Sequence, residues 1–176
     1  RKEVLSDMSL QAFNECAAKA QPGARGVMFH PYLMGERAPH WKPDLTASLS
    51  GMSRETDKSD IARAGFEGIA FAIRDIKENM EMLTGKTPSR FNLLGGGAKS
   101  RLWSQIIADI LQLPVNIEPN SDAAYGAGLL ACLAHTKNLP PTLQDYAEIT
   151  LEPDTSRATF YAEKHAEFNR LRQKFS

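Results

Sequence analysis

Apolar residues recur along this chain at two spacings, and the change from one to the other marks its elements. Leu102, Trp103, Ile106, Ile107, Ile110 and Leu111 fall three and four residues apart, which predicts an amphipathic helix that Pro114 stops. Just before it, Phe91, Leu93 and Leu94 predict a strand of about five residues. A long helix from Ser59 to Leu83 is predicted by Ile61, Gly65, Ile69, Ala72, Ile76, Met80 and Leu83. Such a helix would span on the order of 37 Å, the width of a domain.

Shorter elements surround these. Residues 9 to 20 read as an amphipathic helix with Leu10, Phe13, Cys16 and Ala17 on one side and Pro22-Gly23 at its end. Gly26 to Phe29 and Val115 to Glu118 read as strands, the second bounded by Pro114 and Pro119. Ser121-Asp122 is expected to cap a helix over Ala123 to Ala131. Residues 136 to 158 are polar and contain prolines, a surface excursion, and a last helix with Tyr161, His165, Phe168, Leu171 and Phe175 on one face should dock onto the core. His165 reads as a boundary residue of that face, not a catalyst.

Two helices carry small residues where larger ones would be more stable. The long helix has Ala64, Gly65, Gly68 and Ala72 on one side, and each internal glycine costs about 1 kcal/mol against alanine, so close packing on that face is expected. Glu67 falls in this zone and reads as an exposed or cleft-edge carboxylate. Gly126 and Gly128 pose the same question in the later helix. Either it packs tightly beside the glycine-rich turn, or it is a core helix with no ligand.

Bulk properties narrow the classes. The 176 residues are 42% hydrophobic, enough for one cored domain. Lys plus Arg and Asp plus Glu number 21 each, so there is no charge footprint for nucleic acid or an anionic membrane. The longest apolar stretch, Ala123 to Ala134, falls well short of the roughly 20 residues needed to cross a bilayer, and no signal peptide is read. Cys16 and Cys132 stand far apart without metal-ligand spacing, which suits reduced thiols in the cytoplasm. The opening Arg1-Lys2-Glu3-Val4-Leu5 looks like the middle or end of a helix, so the chain is expected to be a piece of something longer.

The candidate chemistry lies where the predicted strand enters Gly95-Gly96-Gly97 and leaves through Ala98-Lys99-Ser100-Arg101 as a helix, with Ser100 a plausible N-cap. Glycine lets a ligand approach the main chain, and the first turn of a helix offers unpaired N–H groups and a partial positive charge. The dinucleotide fingerprint G-x-G-x-x-G would need glycine where Ser100 stands, which disfavours a nicotinamide-dependent oxidoreductase. A phosphate-binding G-x-x-x-x-G-K-[ST] loop also fails, because Ala98 precedes Lys99 and Met80 stands where Gly85-Lys86-Thr87 would need its first glycine. Two readings stay open at this point: a tight strand-to-helix turn, or a surface against a nucleotide. Glu36, Arg37, His40 and Trp41, in a loop rich in aromatic, charged and proline residues, read as a loop held by a salt bridge and one buried indole.

With these pieces in order, the chain resembles the C-terminal part of the FGGY family of carbohydrate kinases, most closely its xylulokinase-like branch. Four blocks carry the likeness: Pro31 to Trp41, Ala47 to Glu67, Leu94 to Ser100 with the following helix, and Ala123 to Ala131. The resemblance implies an α/β, actin-like and ribonuclease-H-like domain, incomplete at its N-terminal side, over residues 1–176, with the sugar-binding domain absent. It implies that Gly96, Gly97 and Ala98 lie against adenosine, that Gly95 shapes the turn, that Arg101 reaches the base or ribose, and that the helix over 122 to 134 supports the turn. It places the Glu36-Arg37 loop at the interdomain side of the cleft.

The activity so implied is phosphoryl transfer from ATP, with Mg²⁺, to a hydroxyl of a small sugar. A xylulose-like ketose comes first and gluconate or another polyol second. The phosphate loop and the aspartate base of such kinases would fall upstream of Arg1, so no catalytic or metal-ligating residue is assigned in this chain. Partners implied are ATP, the sugar and the absent N-terminal domain, without nucleic acid or membrane; a homodimer is compatible with them. Gly65, and Leu45-Thr46-Ala47, depart from the family's usual residues, which loosens any claim on the sugar. A non-catalytic actin-like module that uses ATP to control assembly is the alternative from another class.

Overall fold

The computed structural model describes residues 8–118, 123–138 and 149–174. Its elements, in chain order, are helix α1 (Leu10–Ala17), strands β1 (Met28–His30) and β2 (Ser48–Ser50), helix α2 (Lys58–Thr84), strand β3 (Phe91–Leu94), helix α3 (Arg101–Leu111), strand β4 (Val115–Glu118), helix α4 (Ala123–Thr136), strand β5 (Ile149–Leu151) and helix α5 (Ala158–Arg172). β1 and β2 form an antiparallel pair, while β3, β4 and β5 form a second sheet. β3 runs parallel to β4, a pairing that needs a crossover, and α3 supplies it. β5 returns antiparallel to β4.

Alternation gives the second sheet two different faces. Phe91, Val115 and Leu151 are aligned across it, as are Leu93, Ile117 and Ile149. The intervening row is polar: Asn116 Nδ2 donates to Asn92 Oδ1 at 3.2 Å, and the Thr150 hydroxyl donates to Asn116 Oδ1 at 2.9 Å. The buried core gathers Ile106, Ile107 and Ile110 of α3, Val115 of β4, Phe71 of α2, and Tyr161 and Phe168 of α5.

α2 is the central strut, with α1, α3 and β1 packed on it. Asp57 and Asp60 start it as a reciprocal capping box, and Gly85 ends it in the left-handed conformation. The small-residue side expected to be closely packed is so: a Cβ on Gly68 would overlap the Phe29 carbonyl of β1, and Ala64 is buried. By contrast Ile61, Ile69, Ile76, Met80 and Leu83, whose spacing predicts the helix, are exposed. Periodicity reveals that a helix forms; it does not say which face the rest of the chain covers.

Other expectations need correction. α1 stops at Ala17, before Pro22-Gly23. The excursion over 136 to 158 contains β5, too short for alternation to reveal. α4 forms, but a Cβ on Gly126 or Gly128 would meet nothing within 4 Å, so close packing does not offset their helix penalty. Among its described side chains Leu130 is exposed and Cys132 half-buried, so neither the supporting-helix nor the core-helix expectation is met here. His165 is buried, not at a boundary. The Ser121-Asp122 cap, Phe175 and the opening residues 1–7 lie outside the described residues. No helix among the described residues is long and apolar enough to cross a membrane.

Candidate functional site

β3 delivers the chain into the glycine turn. Gly95 takes φ 80° and ψ −161°, a region closed to residues with a side chain, and Gly96–Lys99 then make one turn of 3₁₀-helix. Ser100 is the N-cap of α3 and accepts the Trp103 backbone N–H at 3.1 Å, as expected. Its hydroxyl also bonds Asn14 Oδ1 on α1, tying the start of α3 to that helix.

The three glycines differ in what requires them. Gly95 is fixed by its backbone angles, and Gly97 because a Cβ there would run into the Trp103 ring. Gly96 has neither reason: it lies outside the left-handed region and a Cβ would meet nothing within 4 Å. Ala98 points inward and is buried. Arg101 is exposed and, with Lys99, Ser100 and the α1 residues Leu10, Gln11, Asn14 and Glu15, lines an open depression of about 350 Å³. Thus Gly95, Gly96, Gly97 and Ala98 share one turn, with Arg101 on its α1 side.

A second polar centre joins α2, α5 and the loop after β1. Asp75 is buried; His165 Nε2 lies 2.7 Å from its Oδ1, His40 Nε2 lies 3.3 Å from its Oδ2, and Arg172 bonds the same Oδ2. Burial alone would raise the Asp75 pKa, but the His165 hydrogen bond and the Arg172 charge outweigh it and hold the carboxyl down at about 2. Asp75, Glu78 and His165 are close enough to suggest a metal centre. Their bonding argues otherwise. His165 turns Nε2 to Asp75 and Nδ1 to Glu78, 3.5 Å away, so one ion cannot use both contacts, and a guanidinium already holds Asp75. The cluster is also a poor match for Mg²⁺, which prefers an all-oxygen octahedron.

A third centre lies deeper. Glu67 is buried, against the expectation of an exposed or cleft-edge carboxylate, because four donor contacts hold it in place. Its Oε1 accepts from Arg63 Nε at 2.8 Å, from the Tyr161 hydroxyl at 3.1 Å and from the Gly23 backbone N–H at 3.0 Å, and Oε2 takes the same N–H at 3.1 Å. The loop after β1 is held as expected only in part. Trp41 is 77% exposed, which removes the buried indole, whereas His40 Nε2 pairs with Asp75 at 3.3 Å and Glu36 Oε2 accepts the His40 backbone N–H at 2.9 Å.

Residues 2–135 match the model of the FGGY family of carbohydrate kinases, C-terminal domain. A xylulose kinase of Staphylococcus epidermidis is 30% identical over 97% of this chain and 35% of its own length. A gluconokinase of Bacillus licheniformis is 34% identical over 69% of this chain and 24% of its length. The crystal structure of a xylulose kinase from Lactobacillus acidophilus superposes with a TM-score of 0.82 at 30% identity, covering 98% of this chain and 36% of that one. The chain therefore spans about a third of the length of the curated relatives it matches. Its fold is the actin-like, ribonuclease-H-like fold of these sugar kinases, and the chain belongs to the FGGY family of carbohydrate kinases.

Proposed function

We propose that this chain is the part of an ATP-dependent carbohydrate kinase that holds the adenosine of ATP, with Gly95, Gly96, Gly97, Ala98 and Arg101 as the nucleotide-binding residues. In this reading residues 1–176 are part of the C-terminal nucleotide-binding domain of a longer cytoplasmic enzyme. The observation that supports it is Gly96, a glycine that no backbone angle and no neighbour requires, facing open space in a turn beside a helix N-terminus. A flat ligand lying on the main chain accounts for it. Ala98 contributes backbone alone, since its methyl is buried.

The reaction is transfer of the γ-phosphoryl group to a hydroxyl of a small sugar. Xylulose is the first candidate and gluconate the second, following the relatives' names. Mg²⁺ supplies charge neutralisation on the phosphates, and a carboxylate elsewhere in the complete protein accepts the hydroxyl proton. No residue of this chain is assigned to either task.

The test compares Gly96→Ala with wild type in the complete protein, assayed for ATP-dependent phosphorylation of xylulose and gluconate. The melting temperature should not move, while the KM for ATP should rise about tenfold, equivalent to about 1.4 kcal/mol. An unchanged KM for ATP would remove the turn from the nucleotide site. The 176 residues alone are expected to bind adenine nucleotide weakly and to transfer no phosphate; sugar phosphorylation by them would overturn this division of labour.

A further inference from the structure

Trp103 stands where three elements meet at the glycine turn. Its backbone N–H caps onto Ser100, its indole Nε1 donates to the Phe66 carbonyl of α2 at 3.3 Å, and its ring stacks on Phe66 with centroids 6.1 Å apart at 25°. Phe66 in turn meets Phe13 of α1 edge-on at 5.1 Å. On its remaining side the ring lies so close to Gly97 that a Cβ there would overlap it.

General core packing does not account for this arrangement. A covered indole N–H ordinarily finds an acceptor, as here in the Phe66 carbonyl, but a ring that only fills space has no need of a glycine opposite it, where any Cβ would overlap the ring. Trp103 is also only partly buried, unlike Ile106 and Ile107 one turn further along α3. The indole bond fixes the ring against α2, and the ring fixes Gly97. Gly96 is the neighbouring residue, and it faces open space.

We infer that Trp103 is a positioning residue for the nucleotide: its ring, anchored to the Phe66 carbonyl, sets the height at which the Gly96 main chain meets adenosine. This rests on the nucleotide reading of the turn. It predicts that changes at Trp103 act on ATP and not on the sugar, because the ring lies against Gly97 of the turn.

The experiment uses the complete protein with ATP and whichever of xylulose or gluconate it phosphorylates. Trp103→Leu should raise the KM for ATP about tenfold, with the KM for the sugar within about twofold of wild type. Trp103→Phe keeps a stacking ring without the indole donor and should give a smaller rise of about threefold, which serves if the leucine variant does not fold. Gly97→Ala should raise the KM for ATP alone, yet add nothing in the Trp103→Leu background, where the ring it strikes is gone. If these variants lower the melting temperature while the KM for ATP stays within about twofold, Trp103 is core packing and the inference is wrong. If Gly96→Ala leaves the KM for ATP unchanged, the nucleotide reading itself fails and takes the inference with it.

Discussion

Replacing Asp75 by alanine is expected to cost about 3–5 kcal/mol of folding stability, because it removes the buried anion on which Arg172, His165 and His40 converge. Asp75 is 4% exposed. It meets His165 and Arg172 of α5 and His40 of the loop after β1, so one carboxylate ties three parts of the chain together. Arg172 keeps its bond to the Tyr32 side chain but loses the charge it faces. Asp75→Asn preserves the shape and part of the hydrogen bonding, so its loss should be smaller. Urea unfolding of wild type and both variants measures this. A loss of under about 1 kcal/mol for the alanine variant would mean the cluster behaves like a surface ion pair.

The same carboxylate gives the acid limb of the stability profile. Its folded pKa, about 2, lies below its ordinary 3.8, so the unfolded chain takes up the proton first. The stabilisation is complete above about pH 4 and is lost as pH falls through 3.8 towards 2, a difference of about 2 kcal/mol. His30 acts in a separate window. Burial pushes its imidazole below 6.5, against the Phe168 carbonyl bond that favours the proton, so stability declines as pH drops below 6.5. That decline should persist in Asp75→Asn, while the further loss below about pH 4 should be reduced.

What the sequence made legible and what it concealed separate by the range of the interaction. α3 and its cap could be read locally: apolar residues at helical spacing, Ser100 before them and Pro114 after. The strand-turn-helix around Gly95 was legible for the same reason. The length of α2 was legible too, but not its buried face. Asp60, Arg63, Glu67, Phe71 and Asp75 line one side at helical spacing and are buried, whereas the isoleucines that draw attention are exposed. Three- and four-residue spacing of opposite charges, as in Arg63 and Glu67, is the signal that could have exposed that face.

The partners that make those charges tolerable are distant in sequence. Tyr161 lies 94 residues from Glu67 and Arg172 lies 97 from Asp75, and no local pattern announces such a pairing. Nor could spacing tell the glycines apart. Gly95, Gly96 and Gly97 are alike on paper, and only the Trp103 ring and the angles at Gly95 leave Gly96 as the one without an internal reason.

Glu67→Ala is expected to be as damaging as the loss of Asp75, about 3–5 kcal/mol, by a different route. Here the carboxylate bonds the main chain as well as side chains, so its removal frees the Gly23 N–H along with Arg63. Arg63 is buried, and the Ala20 carbonyl and the Tyr161 hydroxyl, its other contacts, bring no opposing charge. Tyr161 remains a phenol, since burial and then the Glu67 charge push its pKa up, and it cannot supply the missing anion. Removing both members of the ion pair should therefore be gentler than removing one: Arg63→Met with Glu67→Met leaves no buried charge uncompensated and should lose less than Glu67→Ala alone. Urea denaturation of the two variants beside wild type decides it. A double variant less stable than Glu67→Ala would mean that the backbone bond to Gly23, and not the buried ion pair, is what Glu67 chiefly provides.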